Sequence, residues 1–158
     1  MKKLNKELII RKNEGSIGQL VSILYRSSQS YIGKKLEPYE VGSGQYSFLA
    51  ELFHMEGRNQ DELASFFRCD KATAARALKT LESRGYVERI RSEDDARVNR
   101  VYLTNKAREF YPILSKILSG WTEALTQGFS SEERNLTFDL LTRLVENAST
   151  AIDKKDYE

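Results

Sequence analysis

The sequence predicts a mainly α-helical chain that carries one small β-hairpin. Three observations lead to this fold class. Apolar residues recur at steps of three and four over most of the 158 residues, as on the buried face of a helix. The whole chain contains two prolines, so few helices are interrupted. A change to strand-like sequence occurs in one place, at residues 86–104.

Two helices are predicted in the first third of the chain. Residues 16–36 repeat apolar side chains on one face, and this helix should stop near Lys35 because Pro38 disfavours helical geometry just before it. Residues 45–56 form the second predicted helix, and Gly57 is a typical residue at a helix C-terminus.

Capping signals define two short helices in the middle of the chain. Asn59 is a candidate N-cap, and Glu62 stands three residues later as in a capping box, which predicts a helix over 60–67. Asp70 is a second candidate N-cap, for a helix over 71–84 that stops at a glycine. A tight turn between them predicts a helix-turn-helix.

The remainder of the chain predicts a hairpin and two longer helices. Residues 86–91 and 100–104 read as strands on either side of a charged loop. A helix over 105–127 follows, with an apolar seam at alternating steps of four and three. Ser130 and Glu133 form another capping box at the start of the last helix.

Composition narrows the class of protein. The net charge is +2, with ten basic against eight acidic residues in 57–104, so the centre is mildly basic. The single cysteine, Cys69, excludes an intramolecular disulfide, and no leader or bilayer-spanning segment is evident, so a cytoplasmic protein without a membrane partner is expected. His54 is the only histidine, and no metal, cofactor or catalytic motif is recognisable, which argues against an enzyme.

The helix over 71–84 has the surface that a DNA-reading helix needs. A helix enters the major groove only with small or polar side chains at its tip. No acid occurs between Asp70 and Glu82, and Arg76 is suited to a guanine edge. The alternative is an ordinary solvated helix face, and the adjoining basic hairpin favours the DNA interpretation. The residues concerned are Lys71, Ala72, Thr73, Arg76 and Lys79.

The hairpin loop contains acids that would repel phosphate, next to an arginine. Asp95 is predicted to pair with Arg97 and hold its guanidinium outward, since a fixed arginine loses less entropy on entering a narrow minor groove. An ordinary polar turn is the alternative, because aspartate is common in turns.

At these residues the sequence resembles the MarR family of regulators. The matching motifs are Asp61-Glu62-Leu63-Ala64, Thr73-Ala74-Ala75-Arg76, Leu81-Glu82, Gly85-Tyr86-Val87 and, in the wing, Asp95-Ala96-Arg97 followed by Leu103-Thr104. The resemblance covers about 17–152. It implies a winged helix-turn-helix DNA-binding domain at 37–104, with N- and C-terminal dimerisation helices in 1–36 and 105–158.

The resemblance and the residue pattern together define three sets of candidate residues. Contacts with double-stranded DNA are expected from Gln45, Asn59, Gln60, Lys71, Ala72, Thr73, Arg76, Lys79, Arg97 and Arg100. An effector crevice for a small aromatic or phenolic ligand would be lined by Tyr25, Arg26, Tyr31, Tyr46 and His54, for which core packing is an equal alternative. The homodimer interface would contain Ile117, Trp121, Leu140, Leu141 and Leu144.

The expected function is a sequence-specific transcriptional regulator. It would bind a pseudo-palindromic operator as a homodimer, act as a repressor, and leave DNA when the small ligand binds. Two alternatives stay open: a winged-helix adaptor that binds protein rather than DNA, and a redox-responsive regulator that acts through Cys69.

Overall fold

The computed structural model describes residues 16–92 and 97–153. Its elements, in chain order, are helices α1 (Ile17–Leu36), α2 (Tyr46–His54), α3 (Gln60–Phe66) and α4 (Lys71–Ser83), strands β1 (Val87–Arg91) and β2 (Asn99–Leu103), and helices α5 (Asn105–Leu125) and α6 (Ser131–Asp153). The chain divides into two compact units, with the division after Trp121 inside α5. The mainly helical fold with one hairpin is confirmed.

The first helix continues into a short 3-10 turn rather than ending at once. The turn spans Glu37–Tyr39, and Pro38 lies in its first residues. At this position a backbone N–H would have no partner within the turn, so proline is tolerated. Glu40 then adopts a left-handed backbone with φ 56°, which turns the chain toward α2. The second helix is shorter at both ends than predicted, and Gly57 follows it with φ 78°.

The helix-turn-helix forms as its capping residues predict. The Asn59 side chain accepts from the backbone of Glu62, whose carboxylate accepts in return from the Asn59 backbone, at 2.9 and 2.8 Å. Asp70 caps α4 through the Thr73 backbone. Between the helices, Arg68 has φ 48°, a left-handed conformation that shortens the turn.

The hairpin is antiparallel and is extended on its other edge by the segment before α3. Strands β1 and β2 pair in register, from Val87 with Leu103 to Arg91 with Asn99. On the far side of β2, the Gly57 amide donates to the Val101 carbonyl, and the Val101 amide donates to the Arg58 carbonyl. The base of the wing is therefore hydrogen-bonded to the segment that leads into the helix-turn-helix.

One apolar core holds the first unit together. It draws on every element from the second half of α1 to the first part of α5, and the members of α4 are small except for two leucines. Phe67 is half-buried and packs against Phe48 in a tilted arrangement, with ring centres 4.7 Å apart. The fully buried side chains are Ile32, Leu36, Val41, Leu49, Leu52, Leu63, Leu78, Leu81, Val87, Val101 and Leu114.

The second unit consists of the end of α5 and all of α6. The predicted capping box is present: the Glu133 amide donates to the Ser130 hydroxyl at 3.2 Å, and the Ser130 amide donates to the Glu133 carboxylate at 2.8 Å. No residue of α6 is buried. Across the part of the chain that the structure describes, no helix is long and apolar enough to cross a membrane.

Candidate nucleic-acid interface

The α4 helix presents two contrasting faces. Its buried face consists of Ala74, Ala77, Leu78 and Leu81, which fit the helix closely against the core. Its outer face exposes Lys71, Ala72, Arg76 and Lys79, while Thr73 is half-buried. The three predicted cations and Ala72 therefore lie on the surface, on a helix narrow enough for the major groove.

Three side chains at the tip of α4 are joined by hydrogen bonds. The Thr73 amide donates to one carboxylate oxygen of Asp70, and the Thr73 hydroxyl donates to the other, both at 2.7 Å. The Arg76 guanidinium donates to the Thr73 hydroxyl at 2.9 Å. The Arg76 side chain thus folds back toward the N-terminus of its own helix, the direction that long helical side chains prefer.

Asp70 carries its charge under all ordinary conditions. The hydrogen bonds that its carboxylate accepts from the Thr73 hydroxyl and the Thr73 amide lower its pKa, and Arg76 lowers it further. Since the ordinary pKa is already far below neutrality, the carboxylate is ionised at physiological pH. A negative charge here also suits the positive end of the helix dipole.

Lys71 is held by an ion pair at the surface. Its ammonium lies 2.7 Å from the carboxylate of Asp61 on α3. Both side chains are largely exposed, so solvent and salt screen the attraction. The pair crosses the turn between α3 and α4, and the weakness of exposed pairs leaves Lys71 able to exchange Asp61 for a phosphate.

Two predicted DNA contacts upstream of α4 use polar atoms to shape the backbone. The Gln45 side-chain oxygen accepts from the Gly42 amide at 2.7 Å, and the Asn59 oxygen is occupied in the α3 capping box. Gln60 is half-buried at the first position of α3. The predicted contacts from Gln45 and Asn59 stay predictions, and the structure adds a local conformational role for each.

A polar cleft brings residues of α3 and the wing together. It has a volume of about 250 Å³ and contains three of the predicted contacts, Asn59, Gln60 and Arg97. Arg89 of β1, which the sequence did not single out, lies in the same wall and is 3.4 Å from Glu82. The alternation of β1 could have indicated Arg89, because it faces opposite to the exposed Glu88.

The two wing arginines that the sequence predicts as DNA contacts, Arg97 and Arg100, differ in their surroundings. Arg97 is exposed, and its predicted partner Asp95 lies outside the described residues, so that pairing stays a prediction. Arg100 is half-buried on β2, where its guanidinium donates to the Gly57 carbonyl at 2.8 Å and to the Ser92 hydroxyl at 3.4 Å. Arg100 therefore fastens the wing to the loop before α3.

A wide cleft beside α1 contains part of the predicted effector site. Its volume is about 850 Å³, and two predicted residues, Arg26 and Tyr31, line it. The Tyr31 and Trp121 rings lie 4.8 Å apart, and the Lys35 ammonium lies 5.0 Å from the centre of the Tyr31 ring. The remaining lining residues are Ser27, Ser30 and Lys34.

The other three predicted effector residues do not line this cleft. His54 is exposed at the end of α2, and Tyr25 is exposed on α1. Burial raises the pKa of the Tyr46 hydroxyl, and the proximity of Tyr25 raises it further. Sequence reasoning missed Lys34 and Lys35, although Lys34 follows Arg26 by eight positions and Lys35 follows Tyr31 by four, which are helical repeats.

The predicted dimer residues fall into two groups. Ile117 and Trp121 pack against the core of the first unit, and the Trp121 indole donates to the Ser28 hydroxyl at 3.0 Å. Leu140, Leu141 and Leu144 are all exposed on α6. Much of the surface of the first group is already covered within the chain, and the surface of the second group is open.

Cys69 is half-buried and packs against the core in the turn before α4. Within 16–92 and 97–153, no cluster of three histidine, cysteine, aspartate or glutamate side chains could hold a metal ion.

The family model described as MarR matches residues 43–98. A solved MarR transcriptional regulator from Methanosarcina mazei Go1 is 43% identical, with a TM-score of 0.82, over 85% of this chain and 97% of that one. The uncharacterised HTH-type transcriptional regulator YdgJ of Bacillus subtilis is 32% identical, over 73% of this chain and 71% of its own length.

A second solved structure shows the fold alone. It is a MarR-family regulator from Listeria monocytogenes complexed with a 26mer DNA, 22% identical, with a TM-score of 0.82 over 87% of this chain and 91% of that one. The hairpin, the helix-turn-helix and the small-residue helix define the class, a winged helix-turn-helix DNA-binding protein. The chain belongs to the MarR family of transcriptional regulators, whose members named here are regulators and not enzymes.

Proposed function

We propose that the protein is a homodimeric repressor that reads a pseudo-palindromic operator in double-stranded DNA. The outer face of α4 carries this proposal: it exposes Arg76 and Lys79 beside Ala72, and no acid occurs from Lys71 to Leu81. The structurally similar Listeria protein was solved with DNA, which supports the same partner here. A repressor of this kind occupies a promoter in the cytoplasm and excludes polymerase.

Side-chain chemistry indicates which part of the DNA each basic residue would contact. The planar Arg76 guanidinium suits the O6 and N7 acceptors of guanine in the major groove. Lys71 and Lys79 are flexible point charges suited to phosphates. The exposed Arg97 on the wing is suited to a minor groove, where narrow A·T-rich sequence concentrates negative potential.

The exposed apolar stripe of the second unit supports the proposal of a homodimer with twofold symmetry. Helix α6 buries no residue in the single chain, and its exposed Leu140, Leu141 and Leu144 follow helical spacing along one stripe. Covering such a stripe with the same stripe of a second copy removes apolar area from water at roughly 25 cal/mol per Å². Two copies would present two α4 helices about 34–36 Å apart, one turn of DNA.

The lining of the cleft beside α1 is suited to a small aromatic ligand that carries negative charge. Tyr31 and Trp121 offer ring faces, while Arg26, Lys34 and Lys35 supply positive charge in the same cleft. A ligand that binds better to a conformation with different α4 spacing would shift the population toward that conformation and release the operator.

The test is selection of bound sequences from a random DNA library, followed by affinity measurements over a range of salt. A pseudo-palindromic motif is expected, with affinity that falls steeply as salt rises because phosphate contacts release counterions. Selection of no motif, together with affinity insensitive to salt, would favour the adaptor alternative and overturn the proposal.

Arg76→Ala sharpens the test. The variant should lose about 1–3 kcal/mol of operator binding and relax the preference at one position of each half-site. Arg134→Ala on the exposed start of α6 is the matched control and should leave both unchanged.

A further inference from the structure

The tip of α4 contains a connected polar group that a DNA contact alone does not explain. Asp70, Thr73 and Arg76 are three residues apart, so they lie along one side of the first turns of the helix. Their hydrogen bonds form a continuous path, from the Asp70 carboxylate through the Thr73 hydroxyl to the Arg76 guanidinium, with steps of 2.7 and 2.9 Å.

The Thr73 hydroxyl has one proton, and that proton is used. A hydroxyl donates once and accepts through its lone pairs. Here it donates to Asp70 and accepts from Arg76, so its donor points along the helix toward the carboxylate. This arrangement disfavours Thr73 as a donor to a phosphate and gives its hydroxyl a role within the protein.

The Asp70 charge makes the arrangement directional. The ionised carboxylate fixes the hydroxyl proton of Thr73, which turns an oxygen lone pair toward the Arg76 nitrogen. Arg76 is exposed and has many rotamers in solution, so one hydrogen bond removes part of the freedom that a base contact would otherwise have to remove.

We propose that Asp70 and Thr73 are positioning residues for base recognition, which hold the Arg76 guanidinium at the N-terminal tip of α4. The inference rests on the proposed operator reading by Arg76. A guanidinium has five N–H donors, so a single bond to Thr73 is compatible with a bidentate contact to guanine. Asp70, an acid beside a DNA surface, then contributes through Arg76 rather than by touching DNA.

Two pairs of variants separate positioning from folding. Thr73→Val removes the hydroxyl and keeps the shape, and Thr73→Ser restores it. Asp70→Ser keeps a good helix cap but supplies one oxygen in place of two, so it cannot reproduce both bonds to Thr73. Thr80→Val is the matched control, because the Thr80 hydroxyl bonds the Arg76 backbone carbonyl, not its guanidinium.

Operator affinity, the base preference at the Arg76-dependent position, non-specific DNA affinity and Tm are measured for each variant. Thr73→Val and Asp70→Ser should each lose operator affinity by about five- to tenfold, as expected for a lost charge-assisted bond, and relax the preference at that position. Thr73→Ser and Thr80→Val should retain both. Non-specific affinity should stay unchanged in the three threonine variants and rise slightly in Asp70→Ser, which removes a negative charge beside the DNA surface.

The Arg76→Ala background distinguishes this inference from the proposed function. In that background Thr73→Val should have no further effect on operator affinity, because the two side chains act as one unit. If Arg76→Ala relaxes the preference but Thr73→Val in the wild-type background does not, the positioning role is wrong and the operator proposal stands. If Arg76→Ala itself changes nothing, the operator reading by Arg76 is wrong.

Discussion

The winged-helix core and helix α6 use leucine in opposite ways. Leu49, Leu52 and Leu63 are completely buried within the first unit. Leu140 and Leu141 of α6 are 45% and 44% exposed, although the helix is 23 residues long. Both regions carry stripes of apolar side chains. In the first unit other parts of the same chain cover these leucines, whereas in α6 the single chain leaves them exposed.

The difference teaches which region folds by itself. The first unit closes the core that runs from Ile32 to Leu114, so that core needs no second copy. Isolated amphipathic helices gain most of their stability from packing, so α6 depends on a surface that covers its stripe. Recognition and assembly are therefore separable by mutation.

Replacing leucine by alanine should lower the free energy of unfolding most in the core. In α6 the loss should depend on whether the chains are dimeric. Leu52→Ala should lower the free energy of unfolding by about 2–5 kcal/mol, because it leaves a cavity. Leu144→Ala should have an effect that depends on protein concentration. Chemical denaturation at several concentrations measures both, and equal concentration-independent losses would contradict the comparison.

A charge on the α6 stripe should separate the copies. Leu141→Asp should weaken dimerisation by about a hundredfold, or about 2.8 kcal/mol, because an unpaired carboxylate would be buried against the partner. Sedimentation velocity measures the association, and Asp139→Asn on the same helix is the control. A dimer of unchanged affinity would show that Leu141 lies outside the interface.

A methyl group at Gly57 should loosen the wing without affecting α6. The backbone there has φ 78°, and an added Cβ would lie 3.3 Å from the Tyr102 hydroxyl. Gly57→Ala should cost about 1–2 kcal/mol in unfolding free energy, since other residues avoid this conformation. Gly128→Ala, which has φ 86° and open space, isolates the backbone contribution. Equal losses of unfolding free energy in both variants would show that the close contact with Tyr102 adds nothing to the cost at Gly57.

The smallest effect is expected at the exposed pair between α3 and α4. Asp61→Asn should change unfolding free energy by less than about 0.5 kcal/mol, because both partners of the Lys71 ion pair are exposed. It should strengthen DNA binding slightly at low salt by freeing Lys71, an effect that disappears as salt rises. Weaker binding at low salt would show that the pair positions α4.

Local signals predicted local structure well. The capping boxes at Asn59 and Ser130 and the cap at Asp70 formed as predicted, because each joins groups within three residues. The small-residue face of α4 could also be predicted from the sequence, since helical spacing alone places its alanines on one side.

Contacts between distant segments were beyond the sequence. Arg100 bonds the Gly57 carbonyl across 43 positions, and Trp121 bonds Ser28 across 93. Each needs the tertiary arrangement to be known first, so the sequence did not indicate these bonds of Arg100, a predicted DNA contact, and Trp121, a predicted interface residue. Arg26 and Tyr31 line the cleft beside α1 and His54 does not, and the effector crevice stays a prediction.

The backbone bonds between β2 and residues 57–59 have a mechanical consequence. Gly57 and Arg58 share peptide hydrogen bonds with Val101, and Arg100 bonds Gly57 through its side chain. A force applied at the base of the hairpin is therefore transmitted directly to the start of α3. Under the proposed function, the wing, α3 and α4 would then move as one rigid body, so a rotation that withdraws the wing from DNA would also withdraw α4.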